Sequence, residues 1–152
     1  LSIGATVNPN LSKLHFDKLF RPQEADDLIP ALEDLMRRLQ LEANLLRRKI
    51  GELAERDESV RAMELPDILA LHPDLRVFAA RMADAASEIA SLGCLLKDID
   101  QGLVDFPFQA DEDEVALLCW QFGEPQVIAW HTIESGFAQR RPLPGARKPY
   151  LN

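Results

Sequence analysis

His131 is the residue best equipped for chemistry in this chain, because an imidazole titrates near neutrality and can ligate a metal through either ring nitrogen. It ends the segment QVIAWH, with Asp105 in LVDFP and Glu124 in FGEP upstream of it and Asp98 earlier still. One imidazole among carboxylates could hold a divalent metal, or one carboxylate could orient the histidine as a general base. The residues come singly from separate segments, with none of the fixed spacings of a metal, nucleophile or phosphate motif, so any such site depends on the fold bringing them together. The simpler alternative is a strand-end histidine that is only hydrogen-bonded. Arg140 and Arg141, shortly after Gly136, could bind a phosphate or carboxylate ligand. Lys97, Asp98, Asp105 and Arg140 also read as partly buried ion pairs that fix how the last segment folds back, and that reading is preferred. The acidic run at 111–114 lacks the alternating oxygen ligands of a calcium loop and reads as a solvated turn. No cofactor motif is legible.

These residues fall in the stretch from Gly93 to Leu143, which holds both tryptophans, both cysteines and six of the ten aromatic residues, so whatever is specific to the protein belongs there. Four short apolar runs alternate with turn signals: CLLKD, then IDQG, LVDFP, the acidic turn, VALLCWQ, FGEP and QVIAWHT. They predict two hairpins and a four-stranded antiparallel meander over 94–132, with Pro107 confining the end of the second strand to an edge. If the second hairpin turns on Gly123 and Glu124, Cys119 faces Ile128 and Trp120 faces Val127. One sheet face then carries Leu118, Trp120, Val127, Ala129 and His131, and the other carries Leu117, Cys119, Ile128, Trp130 and Thr132. A one-residue slip would exchange partners. On either register the tryptophans are expected on opposite faces, leaving one to be covered by the closing segment, a partner or a ligand. Trp120 and Trp130 therefore join Asp105, Glu124, His131 and Arg140 as candidate ligand-binding residues, with His131, Asp105 and Glu124 the candidate metal ligands.

The sheet needs a support, and the chain before Gly93 supplies it. Pro22 suits a first helical position, and Glu24, Asp26 and Asp27 suit the positive end of the helix dipole. Leu28, Leu32, Leu35, Leu39, Ala43, Leu46, Ile50 and Leu53 recur every three or four residues, the stripe of a helix running to about Arg56. Pro30 either kinks this helix or starts a second segment. Residues 55–71 break the pattern and read as a connection with a short helical turn. A second helix opens at His72-Pro73-Asp74 and carries Leu75, Phe78, Met82, Ala85, Ile89 and Leu92 as a heptad-like, coiled-coil seam, ending at Gly93. The two stripes predict an antiparallel helical hairpin over 22–92. The fold class is therefore α+β: residues 16–143 form one domain with a closing segment at 133–143, flanked by an N-terminal arm at 1–15 and a tail at 144–152.

Composition sets outer limits. A chain of 152 residues with 47% hydrophobic and 28% charged residues can bury a full core without staples. No run of about 18 apolar residues spans a bilayer, and the first residues lack the charged start and apolar core of a secretory signal. The expected setting is the cytoplasm, with Cys94 and Cys119 as buried thiols. A formal net charge of -8 opposes nucleic-acid binding. Two basic patches, Arg37, Arg38, Arg47, Arg48 and Lys49, and Arg140, Arg141, Arg147 and Lys148, are the only local exceptions, and acidic neighbours dilute the first.

The string KDIDQGLVDFP, followed by LCWQFGEP, WH and GFAQRRPL, with LFRPQEADDLIPALE near the start, resembles a prokaryotic family of uncharacterised proteins called domain of unknown function 2203. The resemblance covers about residues 16–143 and implies no activity. It departs at Arg21, where the family pattern places a threonine; arginine cannot cap, so the helix start is expected to fray. With no catalytic constellation visible and long apolar seams to cover, the leading expectation is a non-catalytic interaction or scaffold protein. It would be homodimeric or bound to another protein through a helix stripe or an exposed aromatic sheet face. The competing expectation is a small enzyme or a ligand- or metal-binding protein centred on Asp105, Glu124, His131 and Arg140.

Overall fold

The computed structural model describes residues 16–144, so the N-terminal arm at 1–15 and residues 145–152 of the tail lie outside the described residues. The architecture is α+β. Helix α1 (Pro22–Arg56) runs unbroken for 35 residues, about 52 Å at 1.5 Å per residue. Pro30 neither breaks nor divides it, and its ring lies on the exposed side of the helix, clear of the core. Arg21 offers no side-chain cap, yet the helix start is held: Glu24 Oε1 accepts from the Arg21 N–H at 2.8 Å, half of a capping box. Ala25, Ile29, Leu32, Leu35, Leu39, Ala43, Leu46 and Ile50 form the buried stripe, with Leu28 and Leu53 half-covered at its margins.

A 3-10 turn (Glu58–Ala62) and a seven-residue helix α2 (Leu65–Leu71) reverse the chain. The connection is thus more ordered than its broken periodicity predicts, because Val60 and Ile68 are buried against the far end of α1. A second 3-10 turn (Pro73–Leu75) leads into α3 (Arg76–Ser91), which packs along α1 and stops at Gly93, whose φ of +91° suits glycine.

The sheet has five strands, not four: β1 (Leu95–Asp98), β2 (Leu103–Gln109), β3 (Val115–Gln121), β4 (Ala129–His131) and β5 (Arg141–Pro142), antiparallel and in chain order. The closing segment returns to pair Arg141 with Trp130 and Pro142 with Ala129. Two residues cannot display a strand period, so β5 has no signal in the sequence. Pro107 lies where β1 has already ended; its carbonyl accepts from the Phe20 N–H at 2.7 Å, and its missing N–H leaves no gap in the ladder. Gly102 closes the first hairpin at φ +69°, with the Phe122 Cβ only 2.5 Å from where its own Cβ would be.

One sheet face, with Val104, Phe106, Phe108, Ala116, Leu118 and Trp120, packs on the first half of α1 and the second half of α3. Phe20 meets Phe106 edge-on at 5.3 Å between ring centroids. A second cluster of Leu46, Ile50, Ala54, Val60, Ile68 and Leu75 holds the distal helical end together. The hairpin therefore extends past the sheet with a small core of its own.

The second β-hairpin differs from the simple expectation, and the difference decides what each face carries. The Glu124 N–H donates to the Gln121 carbonyl at 2.9 Å, so the turn centres on Phe122 and Gly123 (φ +105°), one residue earlier than expected. The returning chain does not pair at once. Pro125 has no N–H to offer, and the Val127 N–H donates to Asp26 Oδ1 on α1 at 2.8 Å. When pairing resumes, Cys119 faces Ala129, Leu118 faces Trp130 and Leu117 faces His131. Both tryptophans consequently lie on the helix-side face, and His131 lies on the other face with Cys119; the expected division is corrected on both points.

Candidate functional site

The outer sheet face, turned away from the helices, carries a line of polar side chains that is buried nonetheless. Asp105 on β2 pairs directly opposite Cys119 on β3, and Cys119 faces Ala129, two residues before His131 on β4. Asp105, Cys119 and His131 are each 1% exposed. A donor atom from each of the three lies within 4.8 Å of those of the other two.

His131 has an acceptor on both sides. Its Nδ1 is 2.8 Å from the Thr132 carbonyl oxygen and its Nε2 is 2.8 Å from Asp105 Oδ2. A carbonyl can only accept, so Nδ1 carries a proton and donates to Thr132, and Nε2 shares a proton with Asp105; with the carboxylate ionised the ring is an imidazolium. Burial pulls the His131 pKa down, but the hydrogen bond that His131 donates to Asp105, the Asp105 charge and the Thr132 carbonyl together outweigh burial, and the net direction is up. Lys97 Nζ stands 3.7 Å from the same Asp105 oxygen and is a fifth exposed, forming the cluster's solvent edge.

The closing segment builds the other end. After β4, Thr132 and Ser135 hydrogen-bond side chain to side chain at 2.9 Å, and a 3-10 turn (Phe137–Gln139) brings Arg140 back along the outer face. Its guanidinium grips Glu124 with two bonds, Nη1 to Oε1 at 3.1 Å and Nη2 to Oε2 at 2.9 Å, and lies 4.3 Å from the Phe137 ring centroid. Glu124 is fixed from behind: Oε1 also accepts from the Gln121 N–H at 2.7 Å, and its carbonyl accepts from Trp120 Nε1 at 2.9 Å. Cys119 sits between the two ion pairs. Burial pushes its thiol up to about 12, with the Asp105 charge acting in the same direction and Arg140 opposing.

Of the sequence candidates, Asp105 and His131 meet directly, and Glu124 and Arg140 meet directly. Glu124 does not join the histidine as a metal ligand, because both of its carboxylate oxygens are committed to Arg140. Asp98 is also elsewhere, its Oδ1 accepting from the Gln101 N–H at 2.8 Å in the β1–β2 turn. Trp120 is fully buried on the opposite face, and Trp130 is half-buried there, edge-on to Phe108 at 6.0 Å with Arg141 over its ring. Neither belongs to this cluster. Cys119 does belong and was not among the candidates; the alternation Leu117–Cys119–Gln121 carries it to Asp105 only once the strand register is known.

Elsewhere, two of the helical arginines are held in ion pairs: Arg38 pairs with Asp34 along α1 at 2.7 Å, and Arg47 Nη2 reaches across to both carboxylate oxygens of Asp100 in the β1–β2 turn. The acidic segment is a tight turn in which the Ala110 N–H donates to the Glu114 carbonyl. Among the described residues no helix is long and apolar enough to cross a membrane.

A five-stranded antiparallel sheet on a helical hairpin, with a buried Asp–Cys–His group and an Arg–Glu clamp on its outer face, defines an α+β protein. The chain belongs to the family described as uncharacterized conserved protein (DUF2203), whose model matches residues 18–143. No curated protein and no solved structure matches the chain.

Proposed function

We infer that this is a non-catalytic interaction protein that associates with a second copy of itself through the distal end of its helical hairpin. The observation that carries the reading is the exposure of Leu71 and Val77, 66% and 44%, where α2 ends and α3 begins. The sheet does not reach this end, and the small core there covers only one side of each helix. Apolar side chains of this size at a projecting end suit an isologous contact, in which the same patch serves both copies. The aromatic sheet face loses its place in this reading because both tryptophans turn toward the helices.

The competing enzymatic reading lacks a free base. Both His131 nitrogens are occupied, and Glu124 and Arg140 neutralise each other. Side chains satisfied in this way support a role in closing the fold over the sheet. Two free, buried thiols support a reducing, cytoplasmic setting.

Sedimentation velocity on the whole chain tests the reading. The expected result is a dimer that Leu71→Glu combined with Val77→Glu converts to a folded monomer, with the circular dichroism spectrum and melting temperature retained. A wild-type protein that stays monomeric well above micromolar concentration refutes self-association.

A further inference from the structure

We propose that Asp105, Cys119 and His131 form a buried site for a thiophilic divalent cation of the Zn2+ class. The inference is independent of the interaction reading, since a monomer would keep the site. Three features of the geometry carry it. The donor set is a thiolate, an imidazole nitrogen and a carboxylate, the combination that borderline-soft cations take; one donor atom of each lies within 4.8 Å of the other two, and a second Asp105 oxygen or a water would complete a four-coordinate shell. Hard cations such as Ca2+ or Mg2+ would need a shell of oxygens that this place does not offer. Next, the Thr132 carbonyl holds the His131 Nδ1–H at 2.8 Å, which turns Nε2 toward Asp105 and Cys119; such an outer hydrogen bond is what orients a histidine as a ligand. Third, the three residues come from adjacent strands of one sheet, so their spacing is set by backbone ladders rather than by loops.

Binding balances as a proton exchange: the hydrogen-bonded Asp105–His131 pair gives up the proton it shares and Cys119 gives up its Sγ proton, both to solvent, so two positive charges leave as two arrive. The exchange therefore adds no charge beside Lys97, and Arg140 is already matched by Glu124. Two neighbouring cations would otherwise exclude such a site. Complete burial of the ligands makes the cation a brace between β2, β3 and β4, not a centre open to substrate.

The test uses the full chain stripped with a chelator and dialysed, with Zn2+ and Co2+ as probes. Zn2+ affinity is read by competition with a chromophoric chelator, and Co2+ by absorbance. The expected result is one equivalent bound per chain, with a sulfur-to-cobalt charge-transfer band and the intense visible bands of a four-coordinate ion. Cys119→Ser, checked for folding by circular dichroism, abolishes the sulfur band and weakens Zn2+ by more than about tenfold. Cys94→Ser leaves both signals unchanged. Equal Zn2+ affinity in wild type and Cys119→Ser, a cobalt spectrum without the sulfur band, or loss of that band in Cys94→Ser would each overturn the site. If Cys119→Ser does not fold, the wild-type cobalt spectrum and its survival in Cys94→Ser decide the matter alone.

Discussion

Replacing Asp105 separates the buried ion pair from an ordinary hydrogen bond, and two substitutions read it differently. Asp105→Ala leaves His131 Nε2 without a partner at a position 1% exposed, next to the space vacated by the carboxyl group. Breaking a buried pair from one side costs about 3–5 kcal/mol, a fall in melting temperature on the order of 10 °C for a chain of this size. Asp105→Asn is milder. Its amide can turn an N–H toward Nε2, so that a neutral imidazole still donates to Thr132 and accepts from residue 105; the loss is that of a charge-assisted bond, about 1.5–3 kcal/mol. The pH dependence distinguishes the mechanisms. The folded-state pKa of His131 is raised, so its contribution is fully present below its unfolded value, about 6.5. That contribution is lost as pH rises through the raised folded value. Urea unfolding of chelator-treated protein between about pH 6 and 9 is the assay. Wild type should lose stability with rising pH across this window, and Asp105→Asn and His131→Gln should lack that component. A wild-type profile with no such loss, or an Asp105→Asn profile that keeps it, refutes the imidazolium assignment.

Gly102→Ala should destabilise by several kcal/mol in the same urea assay, because alanine would hold an unfavourable positive φ of 69° and its Cβ would stand 2.5 Å from the Phe122 Cβ; a change under about 0.5 kcal/mol contradicts the close approach. The thiols of Cys94 and Cys119, each buried and raised to about 12, should resist a disulfide reagent in native metal-free protein and react together only on unfolding, and fast labelling of either in native protein contradicts their burial.

The helices were legible because their apolar residues repeat at the period of the structure that buries them. The stripe from Leu32 to Ile50 and the seam from Leu75 to Ile89 are both found in the cores. The site was half legible for a different reason. Asp105 with His131, and Glu124 with Arg140, stand out as chemically capable residues in apolar surroundings, and these are the pairs that form. Which of them share a face could not be read, because face depends on register, and the register of β4 is set by a contact remote in sequence. Asp26, a helix residue that reads as dipole-compensating charge, accepts from the Val127 N–H instead, across 101 positions. No local pattern reports such a bond.

That detour also explains why the two sheet faces differ in kind. Had the strands zipped directly from the turn, Cys119 would have paired with Gln126, and the alternation would have put His131 on the same face as Trp120, against the helices and their apolar side chains. Delaying the ladder until Ala129 delivers Trp130 to the helix side with Trp120 and turns His131 outward to Asp105 and Cys119. The closing segment then has a charged anchor to return to, Glu124, which the same turn positions through its bond from the Gln121 N–H. A single early turn with an unpaired stretch behind it thus sorts aromatic from ionic side chains across one sheet. Without that sorting, the burial of Asp105, Cys119 and His131 together would have no structural basis.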